Sequence, residues 1–78
     1  MVNVTVYSTN NCPWCTVAKN FLKEKNIKFI EKNVQNNREY AQEMIKKSGQ
    51  MGVPVIEIGS EIIIGFDQAK IKQLLKIK

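Results

Sequence analysis

The chain has 78 residues, the size of one small domain near the lower limit for a self-sufficient hydrophobic core. Hydrophobic residues make up 44% of it, an ordinary share for a globular protein. The longest apolar run, residues 62–64, is far too short to cross a membrane, and the N-terminus lacks the pattern of a secretory signal. We therefore expect a single cytoplasmic domain over residues 1–78.

The net charge of +5 comes from 12 basic and 7 acidic residues, so an anionic partner has to be considered. The lysines are spread along the chain instead of clustered, and several interleave with apolar residues: Lys19, Lys23, Lys25, Lys28 and Lys32. This pattern is typical of solvated faces of helices and strands. We expect no nucleic-acid binding.

Alternating apolar residues at Val2, Val4 and Val6 predict a first strand. A polar turn over residues 8–11 follows, and Pro13 suits the first turn of a helix because its missing N–H needs no partner there. Four apolar residues recur at helical spacing: Val17, Ala18, Phe21 and Leu22. This helix is expected to end at residues 25–26, and a second strand to run from residue 27 to about residue 34.

The second half of the chain predicts a helix, a hairpin and a last helix. Asn36 or Asn37 can cap the second helix, and Ser48-Gly49 stops it. Strands over residues 53–58 and 61–64 flank a turn at residues 59–60, and residues 65–67 lead into the last helix. The predicted inner positions of the two helices are Tyr40, Ala41, Met44, Ile45, Ile71, Leu74 and Leu75.

The predicted order is βαβαββα, which indicates an α/β fold. The first two strands should be parallel because a helix crosses between them, and the last two should be antiparallel. We expect a four-stranded mixed sheet with three helices on its two faces.

The only two cysteines of the chain stand in the motif Cys12-Pro13-Trp14-Cys15. A pair this close in sequence closes almost no loop, so a disulfide there would stabilise little, which favours a reactive role. At the start of a helix, free backbone N–H groups and the helix dipole favour thiolate over thiol. Such a position lowers a cysteine pKa from about 8.5 into roughly the 3.5–7.5 range, and thiolate is the attacking species in disulfide exchange.

The spacing also predicts different roles for the two cysteines. Cys12 is expected to attack a substrate disulfide, and Cys15, nearly one helical turn later and more buried, to resolve the mixed disulfide. Pro13 stiffens the turn, and Trp14 is expected to be exposed and to contact substrates. The nearest following cation, Lys19, is expected to face solvent. Two alternatives remain open: buried structural thiols, and a zinc site shared between two chains, since one chain offers too few ligands.

Taken together, these residues resemble the glutaredoxin branch of the thioredoxin superfamily over nearly the whole chain. The matching segments are residues 7–8, 12–15, 44–49, 53–54 and 65–67. The resemblance implies the thioredoxin-like fold, a cis peptide bond before Pro54, and thiol–disulfide oxidoreductase activity by a dithiol mechanism. It also implies a substrate-binding surface formed by Tyr7, Val53, Pro54, Gly65, Phe66 and Asp67, with the backbone of Val53 pairing with the substrate. Asp67 is in addition suited to cap the last helix.

The resemblance leaves the electron donor open between glutathione and thioredoxin reductase. Glutathione-using members usually carry a lysine where this chain has Thr9, and an arginine or glutamine where it has Ala41, so we expect weak glutathione dependence. Arg38, one turn before Ala41, is the alternative cation. The Gly65-Phe66 pair is similar to that of NrdH redoxins, which thioredoxin reductase reduces and which supply ribonucleotide reductase. Those proteins usually have glutamine in place of Trp14.

The resemblance further implies disulfide-containing proteins as substrates, no bound cofactor, and glutathione as a co-substrate at most. We expect a monomer. Two other functions are weighed. A thioredoxin-like binding module would dock a partner through Val53 without turnover. A [2Fe–2S] carrier would share a cluster between two chains, but such glutaredoxins usually have glycine or serine where this chain has Pro13.

Overall fold

The computed structural model describes residues 3–77, so Val2 of the predicted first strand lies outside the described residues. The elements follow the predicted order. The strands are β1 (Val4–Ser8), β2 (Ile30–Asn33), β3 (Val55–Ile58) and β4 (Glu61–Ile64). The helices are α1 (Pro13–Glu24), α2 (Arg38–Ser48) and α3 (Gln68–Leu75).

The four strands form one mixed sheet in the order β2-β1-β3-β4, which confirms the predicted fold class. β1 runs parallel to β2, with Ser8 opposite Asn33, and antiparallel to β3, with Tyr7 opposite Val55. β3 and β4 form the predicted hairpin. Because of these directions, the end of β1, the end of β2 and the start of β3 lie at the same edge of the sheet. That edge is where the loop to α1 begins.

Helices cover both faces of the sheet. On one face α1 and α3 pack a core that contains Ala18, Leu22, Ile71 and the strand residues Val4, Val6, Ile56, Ile58 and Ile63. On the other face Met44 of α2 packs against Tyr7 and Val55. β1 lies between these layers, and all five of its residues are buried. Although apolar and polar residues alternate along β1, neither face of the strand is exposed to solvent, because helices cover both faces of the sheet.

The helix ends follow the signals in the sequence. The Asn37 side chain caps α2 by accepting a hydrogen bond from the Tyr40 N–H at 3.1 Å. Gly49 ends α2 in the left-handed conformation at φ 75°, which glycine adopts without a steric penalty. Asp67 caps α3 by accepting from the Lys70 N–H at 3.2 Å.

Two strands are shorter than predicted. β2 begins at Ile30 instead of residue 27, because the chain leaves α1 through a turn in which the Ile27 N–H donates to the Leu22 carbonyl at 2.9 Å. β3 begins at Val55 instead of residue 53, directly after Pro54, which has no N–H to donate to a neighbouring strand. Over residues 3–77, no helix combines the length and apolar character needed to span a membrane.

Candidate active site

Cys12 occupies the N-cap position of α1, immediately before Pro13. Its backbone is extended, at φ −130° and ψ 95°, and its Sγ accepts a hydrogen bond from the Cys15 backbone N–H at 3.1 Å. A sulfur atom thus takes the place that a serine, aspartate or asparagine oxygen usually takes at a helix start. The predicted position of Cys12 at a strand-to-helix junction is confirmed.

The two cysteines form a disulfide, with their Cα atoms 5.1 Å apart. Cys15 is 1% exposed, whereas Cys12 is half-buried. The prediction that Cys15 is the more buried of the two is confirmed. This difference means that an approaching molecule meets Cys12 first.

An aromatic wall stands beside the cysteine motif. Trp14 is 62% exposed, as predicted, and its ring stacks on Phe66 with ring centroids 6.4 Å apart. Phe66 in turn meets Phe21 edge-on at 5.6 Å. Phe66, two residues before α3, therefore joins the exposed motif to the core under α1.

A shallow cavity of about 270 Å³ opens next to this wall. Its lining residues are Trp14, Val53, Pro54, Gly65 and Phe66. The Val53–Pro54 peptide bond is cis, as the family resemblance implied, and the Pro54 carbonyl accepts from the Gly65 N–H at 2.8 Å. Gly65 has φ 83°, which favours glycine at this position. The structure thus brings four of the predicted substrate-binding residues together with Trp14.

The two remaining predicted substrate-binding residues have other surroundings. Asp67 is exposed and uses its Oδ1 to cap α3, which confirms the capping role. Tyr7 is fully buried, and its hydroxyl donates a hydrogen bond to the Glu43 carboxylate of α2. The prediction that Tyr7 contacts substrate is therefore wrong for its side chain, because β1 is a central strand and Tyr7 faces the core under α2.

Glu43 is the centre of a polar cluster that the sequence did not reveal. It accepts from Tyr7 and from Lys32 Nζ at 2.7 Å, and the Lys32 ammonium also lies over the rings of Tyr7 and Tyr40, 5.8 Å and 5.3 Å from their centroids. Burial, and then the bond to Glu43, raises the pKa of Tyr7. The hydrogen bond from Lys32, followed by that from Tyr7, lowers the pKa of Glu43. The cluster fastens α2 to β1 and β2.

Lys19 was predicted to face solvent; its side chain is partly exposed but paired with a carboxylate. Its Nζ lies 2.7 Å from the Glu31 carboxylate, which also accepts from the buried Ser8 hydroxyl at 2.7 Å. The bond from Lys19, and then that from Ser8, lowers the pKa of Glu31. This pair ties α1 to β2. Within the described part of the chain, no group of three or more histidine, cysteine, aspartate or glutamate residues is arranged to hold a metal ion.

A disulfide-forming cysteine pair at the start of a helix, beside a cis-proline and on a four-stranded mixed sheet, defines a thiol redox protein of the thioredoxin-like fold. The glutaredoxin family model matches residues 4–63, which is well over half of the chain. The chain therefore belongs to the glutaredoxin family.

Three relatives show how the chain lies within this family. It is 45% identical to a glutaredoxin-like 8.6 kDa protein of the rubredoxin operon in Clostridium pasteurianum, over 94% of this chain and 97% of that protein. It is 40% identical to glutaredoxin 3 of Escherichia coli K12, over 86% and 81%. It is 35% identical to the glutaredoxin-like protein NrdH of Lactococcus lactis, over 91% and 97%.

A solved structure agrees with this assignment. A variant of the thioredoxin-like protein BC3987 superposes with a TM-score of 0.93 at 29% identity, over 97% of each chain. The fold is thus that of thioredoxin-like proteins of the same length.

Proposed function

We propose that this protein is a dithiol thiol–disulfide oxidoreductase that reduces disulfides of proteins or mixed disulfides with glutathione. Cys12 is the attacking residue and Cys15 the resolving residue. The observation that carries the proposal is the asymmetry of the pair: Cys12 is half-buried at the N-cap of α1, whereas Cys15 is 1% exposed.

The reaction transfers two electrons in two exchange steps. The Cys12 thiolate attacks a substrate disulfide, one substrate sulfur leaves as thiolate, and a mixed disulfide forms. The Cys15 thiolate then attacks Cys12 Sγ, which expels the second substrate thiolate and forms the Cys12–Cys15 disulfide. The structure contains a Cys12–Cys15 disulfide, which is consistent with the last step of this proposal. An electron donor must reduce the disulfide before the next cycle, and no bound cofactor takes part.

Each neighbouring residue has a role in the proposal. The Cys15 N–H and the α1 dipole stabilise the Cys12 thiolate, and Pro13 fixes the first turn of the helix. The cavity bounded by Trp14 and Pro54 receives the substrate segment, and the Val53 backbone pairs with it. Asp67, exposed beside Phe66, offers a carboxylate to a substrate amine. Such a reductase works where thiols are kept reduced, as in the cytosol.

Two variants test the roles of the cysteines. In Cys15→Ser the mixed disulfide cannot be resolved, so the variant should accumulate a covalent adduct with a disulfide-bonded protein substrate. The matched variant Cys12→Ser should form no adduct. Intact mass spectrometry counts the adducts. Equal trapping by the two variants would contradict the assigned roles, and the absence of trapping by both would favour a binding module.

The second part of the proposal concerns the electron donor, for which the two candidates are glutathione and thioredoxin reductase. Thr9 and Ala41 stand where glutathione-using members usually carry charged or amide side chains, and the aromatic pair Trp14–Phe66 walls the cavity. The missing glutathione contacts favour thioredoxin reductase as donor, and the relative named NrdH makes ribonucleotide reductase a candidate acceptor. The test measures the turnover rate in two assays, one driven by thioredoxin reductase and NADPH and the other by glutathione and its reductase. Faster turnover with glutathione would overturn this choice of donor and leave the dithiol mechanism standing.

A further inference from the structure

The loop that leads to Cys12 is held by the loop that follows β2. Because β1 and β2 are parallel and Ser8 lies opposite Asn33, the two strands end side by side. Their pairing continues beyond the strands, since the Val34 N–H donates to the Ser8 carbonyl at 2.8 Å. Residues 9–11 therefore start next to residues 34–36.

The Asn33 side chain joins these two loops. Its Oδ1 accepts from the backbone N–H groups of Gln35 at 2.9 Å and Asn36 at 3.1 Å. These two donors fix the orientation of the amide, so Nδ2 points to the neighbouring loop, where it donates to Asn10 Oδ1 at 2.7 Å. The Asn10 backbone N–H donates to Gln35 Oε1 at 3.0 Å. We call Asn10, Asn33 and Gln35 the loop clamp.

We propose that Asn33 is a positioning residue for the thiol chemistry, and that it acts through Asn10 on Cys12. The inference rests on the proposed function of Cys12. Asn10 is exposed and stands two residues before Cys12, so this clamp restrains a segment that solvent alone would leave mobile. By restraining it, the clamp holds Cys12 in the extended conformation that places Sγ on the Cys15 N–H.

The expected consequence concerns the reduced protein. Without the clamp, the loop samples conformations in which Cys12 Sγ is no longer aligned with the Cys15 N–H and the axis of α1. The thiolate then loses part of its stabilising hydrogen bond and dipole interaction, so the pKa of Cys12 rises. A smaller thiolate fraction near neutral pH lowers the rate at which Cys12 attacks disulfides.

The test measures the Cys12 pKa in a Cys15→Ser background from the ultraviolet absorbance of the thiolate. The variants are Asn10→Ala, Asn33→Ala and the two combined, and Asn36→Ala is the matched control because Asn36 enters the clamp network through its backbone alone. We expect Asn10→Ala and Asn33→Ala each to raise the pKa by about 0.5 unit, the size that partial loss of a helix-dipole interaction gives. The double variant should match Asn33→Ala, and Asn36→Ala should match the parent.

Several results would overturn the inference. Unchanged pKa values alongside a lower melting temperature would mean that Asn33 serves stability only. Additive shifts in the double variant would mean that Asn10 and Asn33 act independently. If Asn33→Ala does not fold, the exposed Asn10→Ala decides alone. A parent Cys12 pKa near the ordinary value of about 8.5 overturns the proposed function together with this inference. If the parent Cys12 pKa is lowered but the variants have the same pKa as the parent, this inference is overturned and the proposed function stands.

Discussion

The Cys15 backbone N–H donates to Cys12 Sγ at 3.1 Å, so each cysteine of the motif contributes a different atom to the same helix start. Cys12 supplies the capping sulfur, and Cys15 supplies the N–H that this sulfur caps. A thiolate is a stronger acceptor than the disulfide sulfur, and a hydrogen bond to the charged form lowers a pKa. In the proposed mechanism, this contact of the oxidised protein stabilises the Cys12 thiolate after reduction.

Trp14 should serve catalysis more than stability. Its side chain is 62% exposed and contacts Phe66 by stacking, so Trp14→Ala should change the free energy of unfolding by no more than about 1 kcal/mol. The loss of an aromatic contact with substrate, about 0.5–1.5 kcal/mol, should lower kcat/KM for protein disulfides roughly two- to tenfold. Trp14→Phe is the control and should retain most of the activity. An unchanged kcat/KM in Trp14→Ala would mean that Trp14 does not contact the substrate.

Asp67 has a capping role and a proposed binding role, and two variants separate them. Asp67→Ala removes the acceptor for the Lys70 N–H and should cost about 1 kcal/mol of stability in chemical denaturation. Asp67→Asn keeps that acceptor and loses the charge, so its stability should stay close to that of the parent. If the carboxylate also holds the amine of glutathione, Asp67→Asn should still raise KM for glutathione mixed disulfides. An unchanged KM would leave Asp67 with the capping role alone.

Acid should weaken the attachment of α2 through Glu43. Because folding lowers the pKa of Glu43, its stabilising charge is fully present above the ordinary value of 4.5 and is lost as the pH falls through the folded-state value. The free energy of unfolding should therefore decline below about pH 4.5, and Glu43→Gln should show a smaller decline. Urea titrations at several pH values measure both curves.

A second variant tests the same link from the other partner: Lys32→Gln removes the ammonium that lowers the pKa of Glu43, so it should also show a smaller decline. Identical pH curves for the parent and Glu43→Gln would contradict the role given to Glu43.

Much of the fold follows from local signals in the sequence. Asn37, Gly49 and Asp67 act at helix ends because each contacts backbone within a few residues, so the sequence nearby suffices to place them. The position of the cysteine motif is also a local signal, because Pro13 begins the first turn of α1 and Cys12 directly precedes it.

Other features depended on contacts between distant segments and could not be predicted. Tyr7 and Glu43 are 36 positions apart, and their hydrogen bond exists only because α2 packs across β1. The same holds for Asn10 and Asn33, which parallel strand pairing brings together. The family resemblance implied that Tyr7 contacts substrate, but the burial of β1 on both faces places its side chain in the core.

The most direct test of the central claim is the reactivity of the two thiols in the fully reduced protein as a function of pH. Brief alkylation followed by peptide mass spectrometry identifies which cysteine reacts and at what apparent pKa. The proposed mechanism predicts that Cys12 reacts first, with a pKa below about 8.5 and within roughly 3.5–7.5, while Cys15 is protected by its burial. Faster alkylation of Cys15, or a Cys12 pKa at or above about 8.5, would contradict it.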